Sequence, residues 1–279
     1  MRVKGNNGFM SSFPIPTPDK ILFAGDWHGD AWAVNQMLEY AREQEVDVII
    51  QLGDFGLWPG ESGAKYLKKV KTLALRFKIP ILWIDGNHED FPQLTRKALD
   101  PLSGLRKYSE YLYHLPRNYR WEWDGVTFHA LGGATSLDRL NRVEGISWWP
   151  GEAITAEEAK VAQSLGGCDV LMLHDCPEGV KIPGIDRISS LRYWPESTLR
   201  EAWAHREQLA VICSKIEPKM IFHGHFHYKY YTEAVLGSSY ATRVNGLADN
   251  TCGVRANSLI YTLEKLKSEI ESIKTRGLT

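Results

Sequence analysis

The apolar positions of this chain fall into short runs that alternate with stretches of helical periodicity. Ile21–Ala24 is a four-residue apolar run ended by Gly25, after which Ala31, Val34, Met37, Leu38 and Ala41 recur at helical spacing through Ala31–Gln44. Val46–Leu52 is a second buried run, Gly63–Phe77 a second helical segment with basic outward positions, and Pro80–Ile84 a third run. Strand, polar loop and helix recurring in this order predict βαβ units around a parallel central sheet.

The middle of the chain changes character. Tyr119–Trp123 and Val126–Leu131 flank the pair Asp124-Gly125, a hairpin signal. Thr155–Ser164 reads as a helix capped by Thr155, with Glu157 and Glu158 in its first turn. Val170–Leu173 and Met220–Phe222 are further buried strands, residues 177–196 a proline-bearing loop, and Glu196–Lys215 a helix. Tyr228–Val235, Ser239–Val244 and Ser258–Leu263 alternate as antiparallel strands, and Glu264–Lys274 is a charged helix. With Asn6-Asn7-Gly8 and prolines at 14, 16 and 18, the N-terminal segment 1–19 is expected to be extended or disordered. The chain thus divides into that segment, one domain over residues 20–263 and a helical tail, 264–279.

Composition narrows the function. A hydrophobic share of 43% in 279 residues suits one sizeable globular core, and no apolar run nears the ~20 residues that span a bilayer. A net charge of −1 gives no electrostatic footprint for long nucleic acid or an anionic membrane. The first nineteen residues lack the apolar core of a signal peptide, and Cys168, Cys176, Cys213 and Cys252 form no C-x-x-C pair, so a cytoplasmic protein with reduced thiols is expected.

The chemistry lies where strands end. Ile21–Ala24 leads into Asp26 and His28, one residue apart, which can turn an oxygen and a nitrogen toward one cation of the zinc, manganese or iron kind. Taken alone, the pair is weak evidence and reads more simply as solvated polar residues ahead of a helix capped by Asp30. Four more strand ends repeat the arrangement, with Asp54, Asn87-His88, His174 and His225/His227. Two aspartates, one asparagine and five histidines exceed the needs of one metal and match two. Asp54, alone on its loop, is the natural bridging carboxylate. His114, His129, His205 and His223 read as ordinary packed histidines. Trp27, Trp148 and Trp149 could stack on a base, and Arg139, Arg142 and the Trp148-Trp149 pair could form a flap beside the site.

In order along the chain stand D-x-H at 26–28, G-D-x-G at 53–56, G-N-H-E at 86–89, a histidine at 174 and G-H-x-H at 224–227. This series resembles the calcineurin-like metallophosphoesterase superfamily over roughly residues 20–262. The resemblance implies a four-layer α/β fold, a β-sandwich of two mixed sheets flanked by helices. It implies one metal on Asp26, His28, Asp54 and His227, a second on Asp54, Asn87, His174 and His225, and His88 as the catalytic histidine beside the substrate phosphate. Two divalent transition-metal ions are implied, manganese foremost, with iron, zinc or nickel as alternatives. The protein Ser/Thr phosphatases of the superfamily carry G-D-x-x-D-R-G at the second motif. Here Gly53-Asp54-Phe55-Gly56-Leu57-Trp58-Pro59-Gly60 lacks that arginine. G-N-H-E, together with Gly132-Gly133-Ala134 and Gly145–Trp149, instead resembles the small bacterial and phage phosphodiesterases, including the class III cyclic-nucleotide type. The expected reaction is hydrolysis of a small phosphodiester, a 2′,3′-cyclic nucleotide or related diester, by a hydroxide between the metals. A phosphomonoesterase or nuclease on the same scaffold, and a non-catalytic binding module, are the rival readings.

Overall fold

The computed structural model describes residues 13–185, 193–236 and 241–276. Residues 1–12, and positions 239–240 of the strand expected over Ser239–Val244, lie outside them.

Two six-stranded sheets form the centre. The first runs in spatial order β12 (Ser258–Thr262), β1 (Lys20–Ala24), β2 (Val48–Gln51), β3 (Ile81–Trp83), β5 (Leu112–His114) and β4 (Arg106–Ser109). The second runs β10 (Tyr230–Val235), β11 (Ala241–Gly246), β9 (Met220–His223), β8 (Val170–Leu173), β7 (Val126–Leu131) and β6 (Tyr119–Trp123). In each, four parallel strands carry one antiparallel strand on either edge.

Alternation along each strand explains the layering. In β1, Ile21 and Phe23 point into an inter-sheet core that includes Val48, Ile50, Phe128, Met172 and Phe222, and Phe23 stacks on Phe222 with ring centroids 3.8 Å apart. Leu22 and Ala24 point the other way, toward Val34, Leu38, Val70 and Leu73 of α1 (Ala31–Glu43) and α2 (Gly60–Phe77). On the far side, Leu171 and Ile221 meet Ala159, Leu209 and Ile212 of α4 (Ala156–Ser164) and α5 (Glu196–Ile216). Helix, sheet, sheet and helix make four layers. The single parallel sheet read from periodicity is corrected on this point. Strands buried on both faces show apolar runs whichever neighbour they pair with, so the pattern does not reveal that the chain starts a second sheet at Tyr119.

Residues near both ends of the described chain join this core. Phe13 stacks on Trp121 at 5.2 Å, and Ile15 is buried. Helix α6 (Leu263–Arg276) carries charge outward but buries Leu266, Ile270 and Ile273 in the inter-sheet cluster. At Asp124-Gly125 both residues have positive φ (48° and 79°), as a tight two-residue hairpin requires. Thr155 forms the expected capping box with Glu158. Two short strands, β4 and β5, and the six-residue helix α3 (Phe91–Arg96) were not foreseen. No described helix is long and apolar enough to cross a membrane.

Parallel register decides where the functional loops emerge. Ala24 pairs with Gln51 and Gln51 with Trp83, so the loops after β1, β2 and β3 leave one edge at one level. Met172 pairs with Phe222 and Gly246 with His223, which does the same for β8, β9 and β11.

Candidate metal centre

Those loops bring Asp26, His28, Asp54, Asn87, His88, His174 and His227 into one cluster. Asp54, 1% exposed, sits at its middle. Its Oδ1 accepts the backbone N–H groups of Asn87 and His88, both at 2.9 Å, and lies 3.4 Å from His174 Nε2. Its Oδ2 lies 3.3 Å from His28 Nε2 and 3.8 Å from His88 Nε2. Asp26 Oδ2 lies 3.1 Å from His227 Nε2 and 4.0 Å from His28 Nε2, while both Asp26 oxygens accept the His225 N–H at 3.1 Å. The donor atoms form three triads with all members within 4.8 Å of one another: Asp26, His28 and His227; His28, Asp54 and His88; Asp26, Asp54 and His174. His225 stands at the margin, its ring edge-on to His174 at 5.0 Å and in none of the triads.

The backbone is bent to achieve this. His28, Asp54, His225 and His227 all adopt positive φ, between 43° and 67°. Non-glycine residues hold that conformation at a cost of about 1–3 kcal/mol each, and such residues concentrate at functional sites. Two glycines open the space. A Cβ on Gly86 would fall 2.2 Å from Asp54 Oδ1, and one on Gly224 would fall 2.1 Å from Asp26 Oδ1.

His174, His28 and His227 each have Nδ1 occupied from behind. His174 Nδ1 donates to Leu52 O at 2.7 Å, His28 Nδ1 faces Asn250 Oδ1 at 3.2 Å, and His227 Nδ1 faces Asp249 Oδ2 at 3.2 Å. Asn250 is itself oriented by donating to Asp30 Oδ2 at 3.2 Å. With Nδ1 turned to oxygen, each ring faces the carboxylates with Nε2, which offers a lone pair there once the ring is neutral, the arrangement found behind metal-ligating histidines.

Electrostatics agree. Burial lowers the pKa of His28, but Asp54 and Asp26 beside it win and raise it to about 9. His174 is lifted to about 10 in the same way, against its burial, by Asp54 and Asp26. Burial disfavours charge on Asp54, yet the His88 and His174 rings hold its carboxyl well below the usual range. Asn87 Oδ1 and His174 Nε2 are 3.1 Å apart, and with the ring neutral neither atom has a hydrogen for the other. These are acceptors facing acceptors around excess negative charge. Protons on the rings supply the positive charge in the metal-free protein, and the nitrogen–oxygen donor set fits divalent transition metals.

His88 and the segment 134–150 complete the site. Arg142 forks onto Asp138, with Nε at 2.9 Å from Oδ2 and Nη2 at 2.8 Å from Oδ1, and the same Nη2 reaches His88 Nε2 at 2.6 Å. A guanidinium only donates, so His88 Nε2 accepts. Burial and Arg142 together lower the His88 pKa, against the pull of Asp54.

The other expected substrate contacts are placed differently. Arg139 turns to Glu201 on α5 at 2.8 Å and lies over the Trp148 ring. Trp149 is buried in the core between the first sheet and its helices, at 7% exposure, and Trp27 is fully buried against Phe55. Trp27 and Trp149 therefore have no face free to stack on a base, because an apolar pocket behind each loop takes the ring instead.

Of the carboxylates near His88, Asp85 pairs with Arg117 and His114, and Asp90 caps α3. Glu89 accepts the Gly86 and Gly56 N–H groups and so ties the Asn87 loop to the Asp54 loop. Burial raises its carboxyl to about 8. Asp249, Asn250 and Ser136 were missed. Ser136 lies in the loop after the apolar strand β7, whereas Asp249 and Asn250 follow β11, whose sequence ATRVNG is mixed and gives no apolar run.

The calcineurin-like phosphoesterase family profile matches residues 19–229. No curated protein matches the chain. Among solved structures, TT1561 of Thermus thermophilus superposes with a TM-score of 0.51 at 16% identity, covering 88% of this chain and 99% of its own. A second solved structure reaches 0.53 at 12% identity with the same coverages. At those identities the two show a shared fold, with the sheets as described above. The family is dinuclear and metal-dependent, and the three donor triads are candidate metal-ligand groups. With the profile spanning most of its length, this chain belongs to the calcineurin-like phosphoesterase family.

Proposed function

We propose that this protein hydrolyses phosphodiesters of nucleotides or related small molecules, using two divalent transition-metal ions, manganese foremost. Asp26, His28, Asp54 and His227 would hold one ion and Asp54, Asn87, His174 and His225 the other. When bound, such ions supply an activated water and neutralise charge that grows on the phosphoryl group. The observation that carries the reading is the Asp54 carboxylate, 3.3 Å from His28 Nε2 on one oxygen and 3.4 Å from His174 Nε2 on the other.

The chain's own residues take the remaining tasks. Arg142 and His88 meet beside Asp54, where a phosphoryl oxygen would lie between them. An anion inserted there adds negative charge beside His88 and favours its protonated form. His88 would then hand that proton to the departing alkoxide. Arg142 is already half neutralised by Asp138, so the site offers little cation beyond the metals. That supports a singly charged diester over a doubly charged monoester. The four free thiols, three of them buried, support a cytoplasmic setting.

Steady-state rates with Mn²⁺ on bis-nitrophenyl phosphate, mono-nitrophenyl phosphate and 2′,3′- and 3′,5′-cyclic nucleotides test this. The reading expects diesters to be cut faster than the monoester, and 2′,3′ faster than 3′,5′ substrates because the five-membered ring is strained. Faster cleavage of mono-nitrophenyl phosphate would make the protein a phosphomonoesterase.

A further inference from the structure

The amide of Asn87 is ambiguous by nature, since its oxygen and nitrogen differ little in shape but oppositely in chemistry. Only the oxygen can ligate a cation. What sets its direction is a short chain of hydrogen bonds with one allowed polarity. Glu152, 3% exposed, accepts the Ser136 N–H at 2.7 Å on one oxygen and the Ser136 Oγ–H at 2.6 Å on the other. A hydroxyl has one hydrogen, and that one is spent. Ser136 Oγ can therefore only accept on its remaining side, where Asn87 Nδ2 stands 2.9 Å away. The NH₂ end of Asn87 is thus pinned to Ser136, and Oδ1 faces His174 at 3.1 Å.

The chain of contacts closes on itself. Arg117 donates to Asp85 at 2.8 Å and to the carbonyls of Gly151, Glu152 and Ala153 at 2.8–2.9 Å. Gly133 N–H donates to Asp85 O at 2.8 Å. Both flanks of Ser136 and Glu152 are thereby tied to the loop that carries Asn87.

We propose that Ser136 and Glu152 are positioning residues that hold the Asn87 amide oxygen toward the second metal. The inference rests on the dinuclear reading of the site and deepens it. An outer-shell partner of this kind is worth roughly 10–100-fold in metal affinity.

Calorimetric titration of metal-free protein with Mn²⁺ tests it. Ser136→Ala should bind the second ion roughly 10–100-fold more weakly. Adding Asn87→Asp to that variant should restore most of the loss, because a carboxylate presents oxygen whichever way it turns. In the wild-type background Asn87→Asp should weaken binding, since one carboxylate oxygen would then face the Ser136 lone pair. A metal-free readout runs in parallel. In ¹⁵N-labelled protein the Asn87 side-chain NH₂ protons should exchange slowly, and Ser136→Ala should remove that protection. The proposal is overturned if Ser136→Ala keeps wild-type affinity for both ions, if the double variant binds no tighter than Ser136→Ala, or if Asn87 protection does not change. A wild-type protein that takes no second ion refutes the dinuclear reading, while the exchange measurement still decides the positioning. Should Ser136→Ala not fold, Glu152→Gln carries the test, with a smaller loss of second-ion affinity expected and unchanged affinity overturning the proposal.

Discussion

Two buried aspartates lie on the loops of neighbouring strands and resolve the same difficulty in opposite ways. Asp85, after β3, meets Arg117 Nη2 and Nε at 2.8 Å and His114 Nε2 at 3.2 Å. Arg117 in turn spends its other donors on Glu158 and three carbonyls. Every charge there has a partner from the chain, and the Asp85 carboxyl is held well below its usual range, against its burial, by Arg117 and His114. Asp54, after β2, pairs with no arginine among the described residues. His28 and His174 spend Nδ1 on oxygens behind them and face Asp54 with Nε2, so in the metal-free protein these rings balance the carboxylate only by taking up protons. The difference teaches how to separate a structural buried carboxylate from one built to receive a cation. Burial and histidine neighbours are common to both. What distinguishes them is whether the donor count closes within the protein.

The comparison breaks most sharply by substitution at its two centres. Asp54→Asn should cost roughly 10⁴-fold or more in kcat/KM on bis-nitrophenyl phosphate, since both ions lose a shared ligand worth several kcal/mol. Its Mn²⁺ content should fall with the activity. Wild-type metal content and rate in that variant would remove Asp54 from the account.

His88 sharpens the Asp54 side. His88→Ala should lose roughly 10²–10⁴-fold on cyclic nucleotides, where a basic alkoxide needs a proton. On bis-nitrophenyl phosphate it should lose far less, because nitrophenolate leaves unaided. Equal losses on both would give His88 a binding role in place of the acid role.

Asp85→Asn should act on stability. It leaves the buried Arg117 charge short of a partner, which costs about 3–5 kcal/mol in chemical denaturation. Glu158 remains, so the low end of that range is expected. Mn²⁺ should still bind the folded fraction. A variant as stable as the wild type would show that the Asp85 cluster is less closed than its geometry implies.

The smallest effect is in protons. His28 near 9 and His174 near 10 are charged at neutral pH in the metal-free protein. Both pKa values are raised, so a cation arriving at Nε2 must displace a proton, and affinity should rise as pH approaches that range. Calorimetry at pH 7 in buffers of different ionisation enthalpy should detect release of at least one proton per Mn²⁺ pair. No dependence on buffer would contradict the charged state of the rings.

The candidate metal-binding residues were legible because each stands in the loop that follows a buried strand, and parallel strands end together. Ser136 also lies after an apolar strand and Asp249 and Asn250 after the mixed strand β11, but Asp, Asn and Ser after a strand are also the ordinary residues of turns. Their role depends on which ring nitrogen or amide end they meet, and that contact exists only in three dimensions. Trp27 and Trp149 failed as stacking residues for a related reason. Sequence marks an aromatic residue but not the pocket it fills, and here Phe55 and the core behind the first sheet take the rings. Arg139 and Arg142 stand three positions apart, yet one serves α5 and the other meets His88. The two-sheet architecture came from the family resemblance, since apolar runs alone pointed to a single sheet. Strands β4 and β5, of four and three residues, were too short to show any period.

Anomalous diffraction from crystals grown with Mn²⁺ tests the central claim most directly. The account predicts two peaks about 3.5–4 Å apart, one on each side of the Asp54 carboxylate, and none at Asp85. A single peak, or a pair that Asp54 does not bridge, would contradict it.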